Sequence, residues 1–177
     1  ITLVMTLALY RFAPTFPDPD IWGYIASGRF YHATGHIRQP EPFSYVTAGH
    51  EWVNFEWLFS VLVFRIFTTV GPPGLIVLKT GMGLLGLGIV YRVLCRRGLP
   101  AQRAGIVVLV LIQFLVPHFA IVRPHLVTYG FFVAVLLLLH ALDRGDARWL
   151  YAAPPLFWLW ANLHPGFLAG LGVLGIW

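Results

Sequence analysis

Long apolar runs, separated by short polar segments, occupy most of this chain. A helix needs about 20 apolar residues to cross the hydrocarbon core of a bilayer, and several runs approach that length. We predict membrane spans over residues 1–12, 74–94, 104–122, 126–142, 149–163 and 166–177. The first and last runs are only about half as long as a span. We therefore expect a piece of a longer polytopic protein, with a helix cut at each end.

The segment at 13–73 differs from the rest of the chain. It holds five of the seven acidic residues, Asp18, Asp20, Glu41, Glu51 and Glu56. Prolines follow the first apolar run and prevent its helix from continuing. Asp20 stands at an N-cap position before a short aromatic helix that Gly35 ends. We predict that this helix lies along the membrane surface, the first of two such helices in the loop, and that residues 39–42 are extended.

The apolar run at 51–70 has Arg65 near its middle. A central arginine costs at least about 2.5 kcal/mol on insertion, so we predict a helix along the membrane surface instead of a span. The next span is followed by the densest basic cluster, Arg92, Arg96, Arg97 and Arg103. The positive-inside rule places this cluster in the cytoplasm. Residues 13–73 then form one external loop, whereas a spanning 51–70 would make that loop cytoplasmic.

Composition supports an integral membrane protein. The chain is 58% hydrophobic and 11% charged, against about 25% charged residues in soluble domains. The net charge of +5 comes from arginines at the ends of apolar runs, where they orient membrane proteins, so we expect no nucleic-acid partner. The single cysteine, Cys95, excludes an internal disulfide framework and is expected to be structural.

Seven side chains from four parts of the sequence share the external side in this topology. They are Asp18, Asp20, Glu51, Glu56, Arg123, His125 and His164. Paired carboxylates such as Asp18 and Asp20 suit a general base, a divalent cation site or both. The alternative is that Asp20 caps a helix while Asp18 lies in a solvated loop.

The remaining candidates also have two interpretations each. Glu56, among aromatic residues, either holds a sugar hydroxyl or a metal, or caps the surface helix. Arg123 with His125 either neutralises a phosphate or forms a turn with a snorkelling arginine. His164 is either a phosphate or metal contact or a satisfied core histidine.

Four motifs carry a resemblance to a known superfamily: DPDIWGYIASGRF, EPFSYVTAGHEWVNFEWL, VRPHL and NLHPGF. With the acidic loop after the first span, the chain resembles the polyprenyl-phosphate-sugar-dependent membrane glycosyltransferases of the GT-C superfamily. This group includes protein O-mannosyltransferases and lipid A aminoarabinose transferases, and the motifs look like those of uncharacterised bacterial members. Many such enzymes place Lys-Pro-Pro before the second surface helix, where this chain has Gly49-His50-Glu51-Trp52.

The resemblance implies an all-α polytopic bundle of GT-C type in a bacterial inner or plasma membrane. It implies an inverting transfer of sugar from a polyprenyl-phosphate carrier to an acceptor at the external or periplasmic face. Asp18 or Asp20 would be the general base, and the pair could hold Mg²⁺ or Mn²⁺.

By the same resemblance, Glu51 or Glu56 would orient the acceptor. Arg123, with His125 or His164, would stabilise the leaving lipid phosphate. The alternatives are a non-catalytic protein that binds a polyprenyl lipid and, less favoured, a transporter, which should carry more ionisable groups inside its spans.

Overall fold

The computed structural model describes residues 1–16, 18–40 and 44–177. These residues are mostly helical, as predicted for an all-α protein. The α-helices are α1 (Thr2–Phe12), α2 (Asp20–Thr34), α3 (Trp57–Val70), α4 (Pro72–Arg96), α5 (Ala101–Leu115), α6 (His125–Asp143), α7 (Ala153–Leu163) and α8 (Phe167–Ile176). A 3-10 helix (Ala147–Ala152) precedes α7, and β1 (Arg38–Pro40) pairs antiparallel with β2 (Glu51–Val53).

Within the described residues, two helices are long and apolar enough to cross a membrane by length and composition. They are α4 and α6, which match the predicted spans at 74–94 and 126–142 to within two residues at each end. The other predicted spans correspond to shorter helices of 10 to 15 residues. The polytopic part of the expected architecture therefore stays a prediction.

The helix predicted over 51–70 was wrong in its first part, because α3 begins only at Trp57. Residues 51–53 form β2 instead. The Asn54 side chain accepts a hydrogen bond from the Glu56 amide at 2.9 Å, which makes a local turn before the helix. The extended segment expected over 39–42 is strand as far as Pro40, and Glu41 and Pro42 lie outside the described residues.

Helices α2 and α3 form an extensively packed pair. Gly28 makes this approach possible, because a Cβ there would overlap the Ser60 carbonyl of α3. Tyr24 of α2 meets Phe59 of α3 edge to face, with ring centroids 5.3 Å apart. As predicted, α2 ends at Gly35, whose φ of 68° is the left-handed conformation that glycine adopts readily.

A second core surrounds α4. Phe12 of α1 stacks on Phe119, with ring centroids 4.6 Å apart, and both rings lie against Gly83 of α4. Each ring is followed closely in the chain by a candidate site residue. Phe12 precedes Asp18, and Phe119 precedes Arg123. The packing around α4 therefore sets the position of the site.

Candidate functional site

Arg123 joins the two aspartates that precede and begin α2. Its Nε donates to Asp18 Oδ2 at 2.7 Å and its Nη2 donates to Asp18 Oδ1 at 3.1 Å. The same Nη2 lies 2.6 Å from Asp20 Oδ2. The Asp18 side chain is only 6% exposed, while 40% of Arg123 remains exposed. A two-point contact of this kind fixes the orientation of the guanidinium as well as its position.

The backbone explains how the two aspartates face one arginine. Asp20 is the first residue of α2, so the prediction that it caps this helix was wrong. Asp18 takes part of that role, since its Oδ1 accepts a hydrogen bond from the Asp20 amide at 3.2 Å. On the opposite side, Pro124 precedes the first residue of α6 and holds Arg123 at the junction.

Lys79, the only lysine of the chain, ties together the two segments that carry this cluster. It is fully buried in α4. Its Nζ donates to the Pro14 carbonyl at 2.6 Å and to the Phe119 carbonyl at 2.7 Å. These carbonyls lie four residues before Asp18 and four before Arg123. Sequence reasoning missed this role, because a lysine that binds backbone carbonyls leaves no partner pattern in the sequence.

The two carboxylates of the cluster differ in their contact with Arg123 and in their exposure. The hydrogen bond from Arg123 lowers the pKa of Asp18, and the same bond raises the pKa of Arg123. Two carboxylates and one guanidinium give a net charge of −1 when all are ionised. Asp18 is therefore a poor proton acceptor, and Asp20, half of whose side chain is exposed, is the more accessible carboxylate.

Two cavities flank the cluster and differ in character. A groove of about 580 Å³ runs between α2, α3 and α4 beside Asp18, and its other lining is almost entirely apolar, including Trp22, Phe67 and Leu75. A smaller pocket of about 380 Å³ lies on the Asp20 side. Its lining includes Asp20, Tyr24, Trp52, Asn54 and Glu56. The ion cluster thus stands between an apolar groove and a pocket whose wall carries several polar side chains, which we call the polar pocket.

A chain of polar contacts leads from Glu56 into the protein. His164 Nε2 lies 3.6 Å from Glu56 Oε1, and His164 Nδ1 is 2.7 Å from Thr128 Oγ1. The Trp160 indole donates to the same Thr128 oxygen at 3.1 Å. Because the Gly166 amide also donates to His164 Nδ1, at 3.0 Å, the proton of the neutral ring is on Nε2, facing Glu56.

Burial shifts the proton affinities of this pair in opposite directions. It lowers the pKa of His164 and raises the pKa of Glu56. We therefore treat the contact as a carboxylate facing a neutral imidazole, and 3.6 Å is longer than a hydrogen bond. Burial also raises the pKa of the Tyr24 hydroxyl, which interacts with Glu56, so this hydroxyl stays protonated and acts as a donor.

The predicted site residues fall into three groups: the cluster around Arg123, the Glu56–His164 pair, and Glu51 and His125, whose side chains are directed elsewhere. The structure brings Asp18, Asp20 and Arg123 into direct contact, and it places Glu56 against His164 at the neighbouring pocket. Glu51 lies on β2 beside Trp52, which lines the pocket. Since successive strand residues point to opposite faces, Glu51 faces away from this lining. His125 is directed to the His118 carbonyl, 3.0 Å from its Nε2.

The residues at the cluster fit a divalent cation poorly. Mg²⁺ is usually bound by one or two carboxylates that are free to face it, with waters and substrate phosphates completing its octahedral shell, whereas here Arg123 already lies against both Asp18 and Asp20. Within the described part of the chain, no group of three or more His, Cys, Asp or Glu side chains is arranged to hold a metal. We therefore assign no step to a metal ion.

The NLHPGF motif has a structural reason of its own. Asn162 Oδ1 accepts a hydrogen bond from the Trp57 indole at 2.8 Å, which joins α7 to the start of α3. A Cβ at Gly166 would overlap Thr128 and lie 2.8 Å from His164 Nδ1. The motif thus holds His164 against Glu56 through close backbone packing.

No protein-family model, curated protein or solved structure matches the chain.

Proposed function

We propose that this protein is a polytopic membrane glycosyltransferase that moves a sugar from a polyprenyl-phosphate carrier to an acceptor hydroxyl at the external face. The observation that carries the proposal is the position of the Asp18–Arg123–Asp20 cluster between an apolar groove and a polar pocket. A lipid-linked sugar has the same three parts in the same order: an apolar chain, a charged phosphate and a polar sugar. The resemblance to the GT-C superfamily supports the same class.

In this proposal the prenyl chain lies in the groove lined by Trp22, Phe67 and Leu75, and the phosphate faces Arg123. Arg123 Nη2 donates to Asp18 and also lies 2.6 Å from Asp20 Oδ2. Among the described residues Nη1 has no hydrogen bond, so it is the donor for the phosphate. The sugar and acceptor occupy the pocket beside Trp52, whose ring suits the apolar face of a sugar.

The reaction is a single inverting displacement. The acceptor oxygen attacks the anomeric carbon, the bond from that carbon to the phosphate oxygen breaks, and the lipid phosphate leaves with the electron pair. The proton of the acceptor hydroxyl passes to a carboxylate. Arg123 stabilises the negative charge that develops on the departing phosphate.

The geometry favours Glu56 as the proton acceptor among the carboxylates of the site. Asp18 has both oxygens engaged by Arg123 and a lowered pKa. Glu56 lines the pocket, has a pKa raised by burial and faces the neutral His164 ring. Asp20 lines the same pocket and is assigned to orienting the acceptor. This assignment moves the base from the aspartates favoured by the sequence to the neighbouring glutamate.

The test is transfer of radiolabelled sugar from a panel of polyprenyl-phosphate donors, in membranes holding the full-length protein. Variants Glu56→Gln, Asp20→Asn, Asp18→Asn and Arg123→Ala are compared at matched expression. Asp146→Asn is the control, because Asp146 forms a similar two-point contact with Arg148 outside the site. We expect Glu56→Gln to lose at least 100-fold in rate, the lower range for general base catalysis of about 10²–10⁴. Equal transfer by wild type and all four site variants would contradict the proposal.

One observation favours a second function, the binding of a polyprenyl lipid without catalysis. Arg123 already engages both oxygens of Asp18, so this carboxylate is not free to take a proton from an acceptor, while Nη1 of Arg123 is still available to a phosphate. A protein of this kind would bind labelled polyprenyl phosphate in an Arg123-dependent manner and turn over no donor in the panel. The same set of variants therefore separates the two functions.

A further inference from the structure

A second groove lies between α4 and α6, at the ends of these helices that are remote from the acidic cluster. It has a volume of about 370 Å³ and is lined by aliphatic side chains of both helices, among them Val90, Leu94, Leu136 and Leu137. Leu136 and Leu137 are 47% and 37% exposed. Among the residues that the structure describes, these are also the two helices that are long and apolar enough to cross a membrane. Where α4 and α6 cross a membrane, this apolar groove is expected to face the hydrocarbon of the bilayer.

One end of this groove is polar. Arg97, His140 and Asp143 line it there. Arg97 Nη2 lies 3.3 Å from His140 Nδ1, and because a guanidinium only donates hydrogen bonds, this imidazole nitrogen accepts. Asp143 Oδ1 accepts a hydrogen bond from the Trp177 indole at 2.9 Å. Arg97 is thus held at the mouth of the groove while its side chain stays exposed.

The surrounding charge is mainly positive. Arg96 precedes Arg97 at the end of α4, and Arg144 follows Asp143 directly after α6. Three arginines and one aspartate therefore lie at the ends of two candidate spans, while the next two charged residues, Asp146 and Arg148, pair with each other. His140 lies 17 residues beyond Arg123, which corresponds to about 25 Å along a helix at 1.5 Å per residue. This groove is consequently a different site from the one proposed for glycosyl transfer.

We propose that the groove binds an anionic phospholipid, with one acyl chain between α4 and α6 and the phosphate on Arg97. Apolar slots between spanning helices with basic residues at the membrane–water border suit this class of ligand. Arginine is the appropriate residue, because its planar guanidinium presents two parallel donors to phosphate oxygens. A zwitterionic lipid would gain less from the positive surroundings than a lipid with a net negative headgroup.

The experiment uses full-length protein in nanodiscs that contain photoactivatable phosphatidylglycerol or photoactivatable phosphatidylcholine, with the reactive group on the acyl chain. Crosslinked residues are mapped by mass spectrometry. We expect phosphatidylglycerol to label residues of the groove, such as Leu136 and Leu137, more strongly than phosphatidylcholine does. Inorganic phosphate should not compete, because it lacks the acyl chain that fills the groove.

Two pairs of variants complete the test. Arg97→Gln should reduce the phosphatidylglycerol labelling by about tenfold, the effect of losing one hydrogen bond to a charged group. Arg103→Gln, an exposed arginine near the start of α5 that does not line the groove, should leave the labelling unchanged. Leu136→Trp should block the groove, whereas Leu85→Trp on an exposed part of α4 should not.

Three outcomes would overturn the proposal. The first is equal labelling of the groove by the two lipids, together with no change of this labelling in Arg97→Gln. The second is labelling confined to residues outside the groove. The third is an unlabelled groove in every nanodisc, the result expected if another segment of the full-length protein or a second copy fills it. Wild-type transfer activity does not enter these readouts, so this proposal and the proposed function fail separately.

Discussion

Asp18 and Arg123 are 105 residues apart in the sequence, yet they share a two-point contact of 2.7 and 3.1 Å. The contact joins the segment after α1 to the segment before α6. Asp18 is nearly buried while Arg123 is partly exposed. A carboxylate in that position depends on its partner more than an exposed one does, because its own hydration is reduced.

We predict that Asp18 and Arg123 couple more strongly than a surface pair of the same geometry. A double-mutant cycle with Asp18→Asn and Arg123→Gln, measured as the free energy of unfolding in detergent, should give a coupling of about 1–3 kcal/mol. The control cycle uses Asp146 and Arg148, which share a similar contact but are 34% and 89% exposed. That pair should couple more weakly, because solvent screens its charges and ordering two exposed side chains costs entropy. Equal coupling in the two cycles would show that burial of Asp18 has no energetic consequence.

The same pair predicts an acid-labile contribution to stability. Arg123 lowers the pKa of Asp18 from its ordinary value of 3.8, so the folded state holds this carboxylate ionised more strongly than the unfolded state does. The stabilisation is therefore complete above about pH 3.8 and disappears as the pH falls through the lower, folded pKa. The difference in stability between wild type and Asp18→Asn should shrink over that window.

Lys79 should control the mobility of the segments that carry the cluster. Lys79→Met leaves the carbonyls of Pro14 and Phe119 without their donor. We expect faster amide hydrogen exchange in peptides covering 13–19 and 116–124, by about tenfold for a local loss near 1.4 kcal/mol. The Phe16 amide, which donates to the Ala120 carbonyl at 2.9 Å, is the most informative. Thr80→Val is the control, because Thr80 is also buried but its hydrogen bond is long, at 3.5 Å.

The packing of α2 against α3 should tolerate one glycine substitution and not another. Gly28→Ala forces a Cβ against the Ser60 carbonyl and should destabilise the protein by about 1–3 kcal/mol. Gly23 lies on the same helix, and a Cβ added there would meet nothing within 4 Å, so Gly23→Ala should stabilise by about 0.5–1 kcal/mol. The midpoints of thermal unfolding should therefore move in opposite directions. A shift of the same sign in both variants would mean that α2 and α3 do not pack as described.

Much of the helical framework could be predicted from apolar run length alone. This prediction succeeded for α4 and α6, because apolar runs long enough to cross a bilayer, bounded by prolines, glycines and arginines, have few alternative structures. It failed at 51–56, where Asn54 bonds the backbone and β2 pairs with β1. Such short-range polar contacts compete with a helix without changing the hydrophobic pattern.

The candidate site was predicted in part. The predicted topology has Asp18, Asp20 and Arg123 on one side of the membrane, and in the structure the three residues are in contact. The roles of Lys79 and Thr128, which lie within apolar helices, were not predicted. Their partners are backbone carbonyls and a histidine from a distant turn. Only the three-dimensional arrangement reveals such pairings, since nothing in the spacing along the chain encodes them.

His164 should make the protein less stable as the pH falls below 6.5. Burial lowers its pKa from that ordinary value, so below pH 6.5 the unfolded state binds a proton that the folded state does not bind. Stability therefore falls by up to about 1.4 kcal/mol per pH unit. Glu56 acts in the opposite sense. Its pKa is raised above 4.5, so the folded state binds that proton first, and stability rises as the pH falls from the folded pKa towards 4.5.

His164→Asn separates the two contributions. The Asn oxygen can replace Nδ1 as acceptor for the Gly166 amide and the Thr128 hydroxyl, while it removes the titrating ring. We expect wild type to lose stability relative to this variant between pH 6.5 and the folded pKa of His164, measured as the free energy of unfolding in detergent. Thr128→Val, which breaks the 2.7 Å contact to Nδ1 but keeps the ring, should retain the pH dependence. If His164→Asn follows the same pH curve as wild type, another group refuses the proton, and the neutral imidazole facing Glu56 loses its support.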